Sequence, residues 1–323
     1  MTRIAVHSIM LDESEEFLER WAASAAEADL LMLADTGSTT NSVTIARDLG
    51  ITVAPLSLRP FRFDHARNAG LAALSPDVDL VVKLDVDEVL TPGWRDALEA
   101  AVSADPDAVR FAYRYVWSHH PDGSEDVVFT TDHIHSRFGW FWRHPAHEAL
   151  VRADGLGDHI PVYVPGLTIE HWPDSAKPRS QYLQLLKLAV EETPDDDRMA
   201  HYYARELYYA GHWDLARIAF TRHLGLLSAR WPAERAASYR YLAIMDEFPE
   251  RWLLHAVAED PGRRESWVEL ADFYHRHQLT TPAAGAAARA LMITERPEDY
   301  IASVDVWDDA RLATLVEAGQ ETP

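Results

Sequence analysis

Two aspartates separated by a single residue follow an apolar run in this sequence. Asp85 and Asp87 come after residues 80–84, a run typical of a buried strand. Side chains two residues apart on a strand point to the same side, so we expect both carboxylates to face one cation. Such a pair supplies the hard oxygen ligands that Mg²⁺ or Mn²⁺ uses when it bridges a diphosphate.

Two other acidic-site interpretations can be tested on the same residues. An EF-hand loop counted from Asp85 requires glycine at its sixth position, where this chain has Leu90, so that interpretation fails. A haloacid-dehalogenase-like phosphatase would use Asp85 as nucleophile and Asp87 as acid or base. That family usually begins at this motif, whereas at least two strand–helix units precede it here. It remains a minor alternative.

Two further segments carry groups that could contact a nucleotide. In residues 35–40, Gly37 permits a tight turn, and Asp35 either belongs to a plain loop or accepts hydrogen bonds from a base or ribose. In residues 63–69, Arg67 could pair with a diphosphate through its planar fork, although a lone arginine is more often a surface residue. The chain has neither a Gly-rich dinucleotide fingerprint nor a P-loop, which argues against NAD and against ATP held in a P-loop.

A pair of histidines offers a zinc interpretation. His144 and His147 are three residues apart, within reach of one ion. Their order is not that of a zincin helix, and Pro145 opposes the helix that such a site needs. We therefore do not expect zinc here.

The elements that must position these groups alternate along the first hundred residues. Hydrophobic patterns predict strands at 4–10, 30–34, 52–54 and 80–84 and helices at 15–25, 43–49 and 63–74. Asp12 or Ser14 is the expected N-cap of the first helix. This alternation indicates a parallel sheet whose ligands bind at the carboxyl ends of the strands, where Asp35 and Asp85 lie. Residues 108–172 are rich in aromatic residues and predict an antiparallel extension of the same sheet.

The rest of the chain is predicted to be helical and repetitive. Residues 200–226 and 266–293 each read as two helices joined by a turn, and residues 235–259 read as a degraded copy. Helix pairs recurring at roughly 34 residues resemble tetratricopeptide repeats, with an ordinary helical bundle as the alternative.

Length and composition limit the remaining classes. A chain of 323 residues with 47% hydrophobic residues predicts two domains, which we place at 1–178 and 179–323. The absence of cysteine excludes disulfides, cysteine-ligated metals and cysteine nucleophiles. A net charge of -22 disfavours nucleic acid and anionic lipid as partners. No run approaches the roughly 20 apolar residues of a membrane span, and acidic residues interrupt the N-terminus, so we expect a cytoplasmic protein.

Four motifs in order make the sequence similar to a known family. Residues 10–16, 35–39, 63–68 and 84–88 resemble the N-terminal half of family 2 glycosyltransferases of the GT-A fold. The chain most resembles the bacterial branch with C-terminal tetratricopeptide repeats, which includes peptide S-glycosyltransferases. The implied fold is an α/β GT-A (Rossmann-like nucleotide-diphospho-sugar transferase) domain followed by an all-α tetratricopeptide-like helical domain. Residues 11–13 depart from the Lys-Asn-Glu common in this branch, and Thr40 replaces a frequent aspartate.

The resemblance also implies an activity and a set of site residues. The reaction would be metal-dependent transfer of a sugar from a nucleoside diphosphate sugar, with a UDP-sugar favoured, to a peptide, glycan or small-molecule acceptor. The implied donor-site residues are Asp35, Thr36, Arg67, Asp85 and Glu88. The implied ligands of Mn²⁺ or Mg²⁺ are Asp85, Asp87 and His171. The implied catalytic residues are Asp87 and Glu148.

Within that resemblance, Glu148 is our choice of general base, and inversion of configuration follows from family analogy. We expect the helical domain to mediate acceptor docking or self-association into a homo-oligomer. The remaining alternative of another class is an inactive repeat scaffold that still binds nucleotide sugar.

Overall fold

Two structural units divide the chain. The computed structural model describes residues 2–155, 159–174, 181–303 and 305–320. Contacts within the chain group into one unit from Met1 to Pro178 and a second from Arg179 to Pro323.

Strands and helices alternate in the first half of the first unit. Its elements are, in chain order, β1 (Ile4–Met10), α1 (Glu15–Ser24), β2 (Leu30–Asp35), α2 (Ser42–Asp48), β3 (Thr52–Pro55), α3 (Phe63–Ala73), β4 (Leu80–Lys83), β5 (Glu88–Leu90), α4 (Trp94–Ala104), β6 (Arg110–Val116), β7 (Val128–Ser136), β8 (Trp140–Arg143), β9 (Ala149–Arg152) and β10 (Val162–His171). The strands and helices expected before residue 84 are all present. The sequence pattern did not predict α4.

The main sheet has eight strands in the order β3-β2-β1-β4-β7-β6-β10-β5. The first four are parallel, and β7 runs antiparallel to β4 and β6. Met10 is level with Asp35, and β1 also pairs with β4, so the carboxyl ends of these strands meet at one edge. The first unit therefore has the expected α/β architecture.

The prediction for residues 108–172 was only partly right. β7 is antiparallel, but β10 pairs with β6 in the parallel direction. In addition, β8 and β9 form a separate two-stranded sheet rather than an extension of the main one. Pairing direction depends on where the chain returns to the sheet, which local alternation of apolar residues does not specify.

Buried aromatic side chains fasten the helices to the parallel strands. Trp21 and Trp94 are fully buried in the main core. The Trp21 indole Nε1 donates a hydrogen bond of 2.9 Å to the carbonyl oxygen of Leu84, which fixes α1 beside the loop that follows β4. Of the two expected N-caps for α1, Ser14 fills the role by accepting from the backbone N–H of Phe17.

The second unit is helical throughout its described elements. They are α5 (Tyr182–Glu192), α6 (Asp197–Tyr209), α7 (Trp213–Gly225), α8 (Pro232–Ile244), α9 (Glu250–Glu259), α10 (Arg264–Arg276), α11 (Thr280–Leu291) and α12 (Asp309–Gln320). The first helices of successive pairs begin at Asp197, Pro232 and Arg264, close to the period of tetratricopeptide repeats. Buried alanines such as Ala204 and Ala216 allow paired helices to approach closely. None of the described helices combines the length and apolar composition that a membrane crossing requires.

Candidate functional site

The turn after β2 is held in shape by its own aspartate. Asp35 Oδ1 accepts hydrogen bonds from the backbone N–H of Ser38 at 2.9 Å and of Gly37 at 3.4 Å. The Thr36 hydroxyl donates to the carbonyl oxygen of Met10 at 3.0 Å. Both predicted donor-site residues of this turn thus lie at the carboxyl end of β2, beside the end of β1, and one carboxylate oxygen of Asp35 closes the turn.

A departure from the family motif links the first two loops. Asp12 adopts a left-handed φ of 53°, and its Oδ1 accepts from the backbone N–H of Thr39 at 2.6 Å and of Thr40 at 2.9 Å. These hydrogen bonds from Thr40 and Thr39 lower the pKa of the Asp12 carboxyl. The residues that differ from the family therefore fix the two loops to each other.

Asp85 is held by two cationic side chains. Arg67 donates from Nη1 and Nη2 to its two oxygens at 2.9 and 3.2 Å, and Lys83 Nζ lies 2.7 Å from Oδ2. Burial favours the neutral acid, but Arg67 and Lys83 outweigh it and hold the pKa of Asp85 well below its usual range. The Asp85 side chain remains 30% exposed, so the ionised carboxylate is accessible to a ligand.

Glu88 lies in the interior behind Asp85. It is 3% exposed, and its carboxylate contacts Lys83 Nζ at 3.1 Å, the Tyr115 hydroxyl at 2.7 Å and the backbone N–H of Asp85 at 2.7 Å. Burial and the Glu88 charge raise the pKa of Tyr115 well above its ordinary value. Instead of facing a donor, as the resemblance implied, Glu88 supports the Asp85 turn.

Lys83 and Tyr115 were not identified from the sequence. The sequence could have indicated Lys83, because it is the single charged residue in the otherwise apolar run 80–84 beside Asp85. No sequence feature indicates Tyr115, because its contact with Glu88 depends on how β6 pairs in the sheet.

Glu148 is brought to the same cluster by Arg67. Arg67 Nε donates to Glu148 Oε1 at 2.6 Å, and the Glu148 side chain is 11% exposed. Asn68, the next residue of α3, exchanges two hydrogen bonds with the backbone of Trp142 at 2.7 and 2.8 Å. The α3 helix therefore fixes the β8–β9 hairpin, which carries Glu148, against the edge of the site.

The loop before Glu148 is not helical. His144 and His147 both have left-handed backbone conformations, with φ of 83° and 51°. The two histidines are thus not presented on one helical face.

Asp87 faces a histidine from another strand. His171 Nε2 lies 3.4 Å from Asp87 Oδ2, and His171 Nδ1 lies 3.0 Å from the carbonyl oxygen of Trp117. The His171 ring also stacks on Trp117, with centroids 4.5 Å apart. Although burial opposes the charged form, the contact with Asp87 raises the pKa of His171.

The two aspartates are not arranged as the strand argument predicted. β4 ends at Lys83, and the backbone N–H of Glu88 donates to the carbonyl oxygen of Asp85 at 2.8 Å, which makes residues 85–88 a tight turn. Asp85 pairs with cations whereas Asp87 pairs with His171. Among residues 2–155, 159–174, 181–303 and 305–320, no three His, Cys, Asp or Glu side chains are grouped to hold a metal.

An oxygen and a nitrogen ligand are nevertheless adjacent in the Asp87–His171 pair. Both side chains are partly exposed, at 26% and 12%. Mg²⁺ sites often use only one or two protein ligands and complete their shell with water and substrate phosphates. The residues present fit a divalent ion of that kind better than one held entirely by protein.

Comparisons with known proteins give structural matches only. No protein-family model and no curated protein sequence matches the chain. The solved structure of glucosyl-3-phosphoglycerate synthase from Mycobacterium tuberculosis, in complex with Mn²⁺, UDP and phosphoglyceric acid, is 22% identical with a TM-score of 0.29. That match covers 36% of this chain and 43% of the synthase, so the chain spans less than half of the synthase's length.

Two further solved structures also match the chain. Pseudomonas aeruginosa PilF is 12% identical with a TM-score of 0.32, covering 41% of this chain and 62% of PilF. MamA is 11% identical with a TM-score of 0.31, covering 43% of this chain and 85% of MamA.

Proposed function

We propose that this protein transfers a sugar from a nucleoside diphosphate sugar, with a UDP-sugar favoured, to an acceptor. One observation carries the proposal. Asp87 pairs with His171, and Asp87 lies two residues after Asp85, which is ionised. Asp85 follows the carboxyl end of β4, and His171 is the last residue of β10, so both lie at the edge of the sheet where α/β proteins bind ligands. A departing diphosphate requires positive charge at that edge.

The donor side of the proposed site consists of two loops. The turn at Asp35 and Thr36 would contact the nucleoside, and the exposed part of Asp85 would accept a hydrogen bond from a ribose or sugar hydroxyl. Arg67 and Lys83 keep Asp85 ionised for this purpose. Arg67 is only 7% exposed and binds two carboxylates. We therefore assign it to positioning these groups instead of contacting the diphosphate.

The metal side of the site would use Asp87 and His171. When Mn²⁺ or Mg²⁺ is bound there, it supplies Lewis-acid stabilisation of the leaving diphosphate. Asp87 is positioned for this role by its backbone, because its carbonyl oxygen accepts from the N–H of Trp172 at 2.7 Å. Stacking on Trp117 holds the His171 ring in place.

Glu148 is the proposed general base. As the acceptor atom forms its bond to the anomeric carbon, the bond from that carbon to the diphosphate oxygen breaks and the acceptor proton passes to Glu148. Oε1 is held by Arg67, and Oε2 forms no hydrogen bond with the described residues, so Oε2 is the oxygen that would take the proton. Such assistance is worth about 10²–10⁴ in rate. Direct displacement by this route gives inversion.

A thermal-shift and turnover screen tests the proposal. The protein is incubated with UDP, UDP-glucose and the other common nucleoside diphosphate sugars, with Mn²⁺, Mg²⁺ or EDTA, and release of nucleoside diphosphate is measured. We expect metal-dependent stabilisation by at least one donor, together with slow donor hydrolysis. Stabilisation without any turnover would favour an inactive scaffold. Hydrolysis of an aryl phosphate in place of the donor would favour a phosphatase.

A further inference from the structure

A cleft of about 390 Å³ opens within the helical unit. Its volume lies in the range of sites that hold a small molecule. The helices α6, α8 and α10 line it together with residues 300–303. The cleft shares no residue with the proposed transfer site.

One arginine of the cleft has no anionic partner among the described residues. Arg205 is half-buried, and its Nε is inaccessible to solvent and forms no hydrogen bond. Its guanidinium carbon lies 4.7 Å from the centre of the Tyr202 ring. A guanidinium that is partly removed from water without an anion is energetically costly. The arrangement therefore favours a ligand with a negative charge.

The other charged side chains of the cleft compensate each other. Arg240 Nε donates to Glu269 Oε1 at 2.7 Å, and Arg240 Nη2 lies 2.6 Å from the same oxygen. His201 is neutral at pH 7, because burial, with the nearby His223 and Arg205, lowers the pKa of its ring well below the ordinary value. The described residues that line the cleft thus leave one uncompensated positive charge in a protein whose net charge is -22.

The same walls present polar groups that can still form hydrogen bonds. Glu269 Oε2 accepts no hydrogen bond from a described residue. The hydroxyls of Tyr209 and Tyr241 are 2.8 Å apart, so one donates to the other and one phenolic hydrogen is left to donate elsewhere. Because Tyr209 follows Arg205 by four residues, about 6 Å along α6, both side chains can contact one small molecule.

A buried polar cluster holds this wall in place. Ser238 Oγ lies 2.9 Å from Nδ1 of both His201 and His223, and all three side chains are buried. The cluster joins α6, α7 and α8, and its His201 also lines the cleft. Since Arg205 and Tyr209 follow His201 on α6, the backbone that carries them is fixed before a ligand binds, which lowers the entropic cost of binding.

We propose that this cleft binds a sugar acid, a small molecule that carries one carboxylate and several hydroxyls. The planar guanidinium fork of Arg205 matches the carboxylate. Hydroxyls both donate and accept, so they match the acceptor at Glu269 and the mixed donor and acceptor groups of Tyr209 and Tyr241. The ligand thereby supplies the missing anion and occupies the remaining polar groups of the walls.

Three simpler ligands match the cleft less well. A phosphate group carries nearly two negative charges and is usually bound by several arginines, whereas one arginine is uncompensated here. A neutral sugar would leave Arg205 without an anion. A dicarboxylic acid would bring a second negative charge that no uncompensated cation of the described lining balances.

Isothermal titration calorimetry with the full-length protein tests the proposal. The probes are D-glucuronate, D-galacturonate and D-gluconate. Glucose is the matched probe without a carboxylate, and glutarate is the matched acid without hydroxyls. The variants are Arg205→Gln and Tyr209→Phe. Arg276→Gln controls for the change in net charge, because Arg276 is an exposed residue of α10 outside the cleft.

We expect at least one sugar acid to bind about tenfold more tightly than glucose and glutarate, because hydrogen bonds to charged groups are stronger than neutral ones. Arg205→Gln should weaken this binding about tenfold or more, and Tyr209→Phe about two- to tenfold. Arg276→Gln should change it by less than about twofold. Arg205 forms no ion pair with a described residue and Tyr209 is exposed, so both variants should unfold at the temperature of the wild type.

Two results would overturn the proposal directly. One is equal affinity of Arg205→Gln and the wild type, and the other is no measurable binding of the three sugar acids at millimolar concentrations. Glutarate that binds as tightly as the best sugar acid would overturn it in favour of a simple dicarboxylic acid. The titrations contain neither nucleotide nor metal ion, so their outcome does not depend on the proposed transfer activity.

Discussion

Arg67 Nε lies 2.6 Å from Glu148 Oε1, while the other end of the same guanidinium binds Asp85. One arginine on α3 thereby joins the loop after β4 to the β8–β9 hairpin. The sequence motifs that suggested these three residues lie far apart in the chain and meet in one network of ion pairs. Arg67 is consequently occupied by protein carboxylates and acts as a positioning residue.

Removing Arg67 should destabilise the first unit strongly. Arg67→Ala leaves Glu148 buried without its cation, and breaking a buried pair costs about 3–5 kcal/mol. The matched control is Arg114→Ala, because Arg114 pairs with Glu125 on the surface, where both side chains are about 40% exposed. Such a pair contributes roughly 0–1 kcal/mol. Urea unfolding of both variants checks this, and equal losses would mean that the Arg67 network does not support the fold.

The strand-end positions of Asp35 and Asp85 were predictable because they follow from the periodicity of apolar residues. The tight turn at 85–88 was not, because it depends on Glu88 accepting from the backbone of Asp85. The contacts of Lys83 and Tyr115 also depend on the register of separate strands. A pattern within one segment identifies the end of a strand, but it does not specify which side chains from other strands meet there.

Metal and nucleotide should bind with positive coupling. Asp87 and His171 provide two ligands, and a diphosphate would add oxygens to the same ion. We expect Mn²⁺ to raise UDP affinity at least tenfold in the wild type and to have less than a twofold effect in Asp87→Asn. Asp107→Asn, at an exposed position, is the control. Isothermal titration calorimetry with and without EDTA measures the coupling. Equal affinities for the wild type under the two conditions would refute it.

Glu148→Gln should impair transfer without impairing donor binding. Glutamine can keep the contact with Arg67 but cannot accept the acceptor's proton, so we expect the rate to fall by about 10²–10⁴. The nucleotide Kd should change less than twofold. Single-turnover assays with the donor identified by the screen measure the rate. A variant as fast as the wild type would direct attention to Glu170 or to Asp132, which pairs with Arg110 at 3.0 Å.

Two buried histidines of the first unit should each reduce its stability as the pH falls from 7 to 5. Burial lowers the pKa of His7 and of His135 to about 4. The unfolded chain, with an ordinary value near 6.5, therefore binds protons first as the pH falls. The loss begins below about pH 6.5 and is complete near pH 4, and it amounts to roughly 2 kcal/mol per histidine at pH 5.

The lowered pKa of Asp85 does not affect the stability change between pH 7 and pH 5. Its stabilising effect is present above its ordinary value near 3.8 and is lost only below that pH. Urea unfolding at pH 7 and pH 5 measures the loss of stability that the histidines cause without including the effect of Asp85. Between the two pH values, the free energy of unfolding of His135→Gln should fall by about 2 kcal/mol less than that of the wild type. The control is His65→Gln, at an exposed position on α3, whose free energy of unfolding should fall as much as that of the wild type.

Adding a methyl group at Gly70 should displace α3 from the sheet. A Cβ there would lie 2.5 Å from His7 Cε1 and 2.9 Å from Ala34 Cβ, and both atoms belong to buried side chains. Overpacking of this kind costs about 1–3 kcal/mol and outweighs the roughly 1 kcal/mol that alanine gains over glycine in a helix. Gly225→Ala, in α7 with open space around the added carbon, should instead be neutral or slightly stabilising.

The displacement should also affect the site. Arg67 lies one turn before Gly70 on α3, so moving the helix away from β1 lengthens the contacts of Arg67 with Asp85 and Glu148. We therefore expect Gly70→Ala to lower the transfer rate at temperatures where the variant is still fully folded, whereas Gly225→Ala should leave the rate unchanged. Thermal unfolding and turnover measured on the same samples separate the two effects. Full activity in a destabilised Gly70→Ala would mean that α3 tolerates the shift without moving Arg67.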